Sequence, residues 1–155
     1  MTKLVVRLLG GFRVELDGQA VYSFETDKAR ALLAYLAVEA GRPHRRESLS
    51  SLLWPDRPDA VARASLRQAL SCVRRALGDQ RSSAREPPLF LLVTPTDVQF
   101  NMAGDCMLDV TELEAFARSS ARHRQLLPEA FCADFLAGFA VPDSETFQAW
   151  VLNRQ

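Results

Sequence analysis

PDAVARASLRQALSCVRRALG, residues 58–78, is the most informative run in this 155-residue chain. Pro58-Asp59 suits a helix start and Gly78 a helix end, and the ~18 residues between them make a rod of roughly 27 Å at 1.5 Å per residue. At 100° per residue, Ala62, Leu66, Ala69, Leu70, Val73, Ala76 and Leu77 fall in one arc of about 120°, a face for packing. An adjoining arc of about 140° holds Arg63, Ala64, Arg67, Gln68, Ser71, Arg74 and Arg75. The arginines can neutralise backbone phosphates, and the Gln68 amide offers the paired donor and acceptor that adenine requires. A solvated basic face is the plainer reading of the same pattern, and the flanking segments favour the first.

On the C-terminal side, the polar residues 79–88 read as a loop, after which Leu89–Val93 and Val98–Phe100 flank Thr94-Pro95-Thr96-Asp97 as a hairpin. On the N-terminal side, Arg46–Leu53 fits a short helix with Leu49, Leu52 and Leu53 inward and Pro55 at its end. Before it, Thr26 or Asp27 can cap a helix whose apolar residues Ala29, Leu32, Leu33, Leu36 and Ala37 recur at three and four, with Gly41 as its stop. Phe12, Val14 and Leu16 alternate with Arg13 and Glu15 as in a half-buried strand, and Asp17-Gly18 turns the chain into Val21–Phe24. Gly10-Gly11 separates Leu4–Leu9 from that strand. Strands, two helices, a long basic helix and a hairpin are the order of an α+β winged helix, whose third helix enters the DNA major groove beside the wing hairpin.

The formal net charge is zero, with 19 bases and 19 acids. It is unevenly spread. Residues 42–85 carry ten arginines against four acids, a balance of +6, and residues 86–155 carry four against ten, a balance of −6. A basic middle built of Arg suits planar, bidentate recognition of phosphate or guanine, although high-GC codon usage also favours Arg. Cys72, Cys106 and Cys132 match neither a disulfide framework nor a zinc knuckle, so reduced thiols are expected, with Cys106 and Cys132 packing as small apolar groups. His44 and His123 stand apart from any metal or nucleophile set, and no phosphate-loop pattern accompanies Gly10-Gly11. The chain therefore reads as a non-enzyme without metal or cofactor. No apolar run approaches a membrane span, and a cytoplasmic location is expected.

A second module begins near Asp105. Asp109 can cap a helix through Val110, Leu113, Phe116 and Ala117, Pro128 opens another with Phe131, Phe135 and Leu136, and a last helix holds Phe147, Trp150 and Val151. The expected division is a winged helix over residues 1–103 and a short all-α, helical-repeat-like segment over residues 104–155. Phe131, Phe135, Phe139, Phe147 and Trp150 have few residues after them, which predicts an exposed apolar patch or a homodimer seam.

The stretch KARALLAYLAVEAGRPHRRESLSSLLWPDRPDAVARASLRQALSCVRRALGD, followed by FLLVTPTDVQFN, resembles the OmpR-type winged helix that opens large bacterial regulators of the SARP and AfsR kind. LDVTELEAF and ADFLAGFAVPDSETFQAW resemble the start of the bacterial transcriptional activator (TPR-like) domain that follows it in those proteins. The resemblance implies a sequence-specific regulator of transcription on double-stranded DNA in the bacterial nucleoid, with residues 60–77 as recognition helix. Arg63, Arg67, Gln68, Ser71, Arg74 and Arg75 then face DNA, and Arg45, Arg46, Trp54, Thr94 and Thr96 are candidate phosphate contacts. For Trp54 a core or hinge role is an equal alternative. RNA polymerase or further domains of a larger regulator are the implied partners of the acidic C-terminal segment.

Three departures from the family pattern stand out. Cys72 replaces a common Arg and sits about 40° beyond Gln68 on the wheel, a position that either lines the groove or is unremarkable surface, with the second favoured. The wing carries no base, so its minor-groove electrostatics are weak. The activator segment is shortened between His123 and Phe131. The first two also suit a rival reading, a winged helix that has lost specific DNA binding and serves protein interaction or dimerisation.

Overall fold

Alternation in the N-terminal segment produces strands β1 (Leu4–Arg7) and β2 (Arg13–Leu16), paired antiparallel with Leu4 opposite Leu16. Asp17 and Gly18 both adopt positive φ, 52° and 82°, the backbone of a type I′ turn into β3 (Gln19–Ala20). The return strand is shorter than expected. Val21 N still donates to Val14 O at 2.8 Å, and residues 22–26 then leave the sheet, where Phe24 packs edge-on against Phe12, ring centroids 5.6 Å apart, and Thr26 caps the next helix.

That helix, α1 (Asp27–Val38), starts with the Thr26 hydroxyl accepting from Ala29 N at 3.1 Å and buries Ala29, Leu32, Leu33, Leu36 and Ala37 as its spacing requires. Strand β4 (His44–Arg45) leads into α2 (Arg46–Leu53), and α3 (Asp59–Ala76) ends at Gly78, whose φ of 68° is the left-handed conformation expected after a helix. Strands β5 (Leu91–Val93) and β6 (Asp97–Phe100) form the wing hairpin, and β4 joins the outer side of β6 to complete a three-stranded sheet.

The structure, a computed structural model, describes residues 3–78, 90–101, 106–119, 135–141 and 144–154. The loop expected at 79–88, the helix expected from Pro128, and His123, Phe131 and Cys132 lie outside the described residues, as do the side chains of Phe116 and Ala117.

The second segment adds a strand that periodicity does not announce. β7 (Cys106–Leu108) pairs in parallel with β1, giving the order β3-β2-β1-β7, and α4 (Asp109–Ser119) follows. Asp109 opens α4, but its buried carboxylate turns to the end of β1 and accepts from Leu8 N at 2.9 Å and Leu9 N at 3.0 Å. The last helix, α5 (Glu145–Arg154), is seated on the winged helix. The Ser144 hydroxyl donates to Leu53 O at the end of α2, where the Lys28 ammonium also donates, and the Thr146 hydroxyl donates to Leu52 O at 2.9 Å.

This seating corrects the expectation of an exposed aromatic tail. Phe147 and Val151 are buried, Phe135 is buried, and Phe139 and Trp150 are half-buried against one core shared with Leu4, Leu33 and Leu53. The cover comes from the winged helix rather than from residues that follow. Trp150 packs on Tyr35 of α1 at 4.9 Å between ring centroids, and Phe139 stacks on Phe12 at 5.7 Å.

Candidate nucleic-acid interface

The two faces of α3 fall where the helical period puts them. Ala62, Leu66, Ala69, Leu70 and Val73 are buried, while Arg63, Arg67, Gln68, Ser71 and Arg75 are exposed and Arg74 is half-buried. Two helices hold it in place, since its apolar arc packs against both α1 and α2. Among the described residues, the side chains of Arg63, Arg67, Gln68, Ser71 and Arg74 form no hydrogen bond or ion pair.

Two grooves flank the exposed band. One, of about 440 Å³, runs between α3, the start of α2 and the wing turn, lined by Arg45, Arg46, Arg63, Arg67, Pro95 and Thr96 among others. The other, of about 750 Å³, lies between α3 and the start of α1, with Lys28, Trp54, Gln68, Ser71, Cys72 and Arg75 on its walls. Arg67 lines both.

Not every candidate residue is free. Arg75 Nη1 lies 3.3 Å from Glu25 Oε1 in an exposed pair. Arg46 holds the wing: its backbone N–H donates to Thr96 O at 3.0 Å and its Nε donates to Thr94 O at 3.1 Å. The Thr94 hydroxyl accepts from Asp97 N at 2.8 Å, and the Thr96 hydroxyl donates to Asp97 Oδ2 at 3.0 Å, so both serve the turn. Arg45 is exposed on the edge of the wing sheet, its backbone opposite Asp97.

Trp54 is only 8% exposed and the Lys28 ammonium sits 5.3 Å from its ring centroid, so the indole belongs to the core at the wall of the second groove. Cys72 corrects the surface assignment made from the wheel. It is 7% exposed, and its Sγ accepts from Glu25 N at 3.3 Å. The segment before α1 folds over that side of α3, a tertiary contact that no helical wheel contains. His44 is buried with its Nε2 2.7 Å from Glu39 O at the end of α1, and Cys106 is half-buried against the core.

No protein-family model matches the chain. In sequence, 88 residues, 57% of the chain, are 35% identical to the transcriptional regulatory protein EmbR of Mycobacterium bovis, and the same figures hold for EmbR of Mycobacterium tuberculosis. In structure, the chain matches M. tuberculosis EmbR, solved in complex with a low-affinity phosphopeptide, with a TM-score of 0.70 at 25% identity over 99% of this chain. The chain is homologous to EmbR and shares its fold. This bears out the resemblance to SARP-like winged-helix regulators and the α+β winged helix with an appended helical segment. The chain spans 22% of the length of the curated EmbR relatives and 42% of the solved EmbR chain.

Proposed function

We propose that this chain is the DNA-binding part of a transcriptional regulator and reads double-stranded DNA with α3 in the major groove. The observation that carries this is the exposed band of α3. Three arginines and a glutamine stand on it without partners among the described residues, between two grooves, on a helix whose opposite face packs into the core. The fold shared with a transcriptional regulator supports the same reading.

Arg63, Arg67 and Arg74 then contact phosphates or guanine, with Arg45 supporting from the wing side, while Arg46, Thr94 and Thr96 act by shaping the wing. Residues 1–103 form the reading domain and residues 104–155 the start of an activator-like domain that further parts of a larger regulator, or RNA polymerase, contact. A second reading, a protein-interaction module, draws on the wing turn, whose Thr94–Asp97 has no base, and on the Glu25 partner of Arg75. Titration of a random-sequence duplex pool into the purified chain at ~50 mM salt, followed by fluorescence anisotropy, separates the two. Saturable binding that weakens steeply by ~200 mM salt is expected. Absence of binding at the lower salt favours the interaction module.

A further inference from the structure

On the exposed band of α3, charge is not spread evenly. Taking Arg63 as 0° and stepping 100° per residue, Arg63, Arg74 and Arg67 occupy about 0–40°, whereas Ala64, Gln68 and Val61 occupy about 100–160°. Val61, Ala64 and Gln68 follow one another at spacings of three and four, so they form a single row along the helix. Val61 is 42% exposed, a branched apolar side chain facing solvent on the polar side of an amphipathic helix. Gln68 is exposed with its amide unpaired among the described residues, and Ala64 between them is too small to keep a partner at a distance. Arg75, which shares the groove wall with Ala64 and Gln68, is already paired with Glu25.

We infer that this row reads A·T base pairs in the major groove: the Gln68 amide pairs with adenine N6 and N7, and Val61 and Ala64 contact the C5-methyl groups of thymines. The inference rests on the proposed reading of α3 as a major-groove helix and adds which bases it selects. The chemistry is selective, because only adenine presents the donor and acceptor that match an amide, and only thymine offers a methyl group to an apolar side chain. Gln68 and Val61 stand about 10 Å apart along the axis, roughly three base-pair steps, so the row spans a short run of A·T pairs. The arginine side of the band serves phosphates or guanine and sets the position of the row.

The test uses the whole 155-residue chain and duplexes selected by it from random DNA. The expected consensus contains A·T pairs two to four base pairs apart. Replacing the thymines of that consensus by uracil, which removes only the methyl group, is expected to weaken wild-type binding several-fold and Val61→Ala, which keeps the Ala64 contact, by a smaller factor. Gln68→Ala is expected to lose about ten-fold on the consensus while binding to unrelated duplex is unchanged. Circular dichroism of both variants checks that the exposed substitutions leave the fold intact. A selected consensus without A·T pairs, or equal binding to thymine and uracil duplexes, overturns the inference while leaving DNA binding in place. A chain that binds no duplex at all overturns the reading of α3 itself.

Discussion

Asp109 of the second segment and Glu39 of the first are two of the residues that join them. The buried Asp109 carboxylate is the acceptor for two backbone N–H groups at the end of β1. Asp109→Ala leaves both donors unpaired, and a loss of about 2–4 kcal/mol in urea unfolding is expected, with Asp109→Asn retaining part of it. Glu39 accepts from Trp150 Nε1 at 3.0 Å and from Arg154 Nη2 at 2.5 Å. Burial pushes its carboxyl up, but the two hydrogen bonds and the charges of Arg154 and Arg42 outweigh that, so its pKa lies below the ordinary 4.5. A carboxylate lowered by folding stabilises the native state above its unfolded pKa, and that contribution fades as pH falls through the lower folded value. Wild type should therefore exceed Glu39→Gln in stability by about 1 kcal/mol or less near neutral pH, and the gap should close in acid, as read from urea midpoints across pH. Neither role is visible in the sequence. Asp109 reads there as a cap for its own helix, and nothing in the sequence singles out Glu39, because their partners lie about a hundred residues away.

Periodicity carried most of the element-level picture. Apolar residues at three and four along 62–73 are the ones that α3 buries, and the Asp17-Gly18 turn has the backbone its residue types favour. What periodicity lacks is the far side of each contact. Cys72 looked exposed because the wheel treats α3 as a lone rod, whereas Glu25 closes over it. Arg46, Thr94 and Thr96 looked like phosphate contacts by type and place, yet their hydrogen bonds run within the wing and its anchor. Arg46→Ala should accordingly speed amide hydrogen exchange at residues 94–97 while leaving the global unfolding free energy within about 1 kcal/mol of wild type. Leu66→Ala, which hollows the packing face of α3, should by contrast cost about 2–5 kcal/mol by urea denaturation.

At the scale of the whole chain, the two charge blocks are real but not separate bodies, since one hydrophobic core includes Leu4 and Leu53 from the first segment and Phe147 and Val151 from the second. The aromatic tail that composition marks as in need of cover finds it on α1 and α2. The two tryptophans report this directly, because Trp54 follows α2 and Trp150 lies in α5. Urea transitions followed through each tryptophan alone, in Trp150→Phe and Trp54→Phe variants, should each be monophasic with nearly equal slopes, and Phe147→Ala should shift both probes by about 3–5 kcal/mol. A Trp150 signal lost well before that of Trp54 would mean that α5 docks weakly.

The central claim is that the unpaired arginines of α3 meet DNA phosphates or bases. It is tested most directly by the slope of log affinity against log salt on a selected duplex, measured for wild type, Arg67→Ala and an Arg13→Ala control in the N-terminal sheet, where the side chain is also exposed. A steep wild-type slope that falls by about one unit in Arg67→Ala and stays unchanged in Arg13→Ala is the expected result. A flat wild-type slope, or equal effects of the two substitutions, would contradict it.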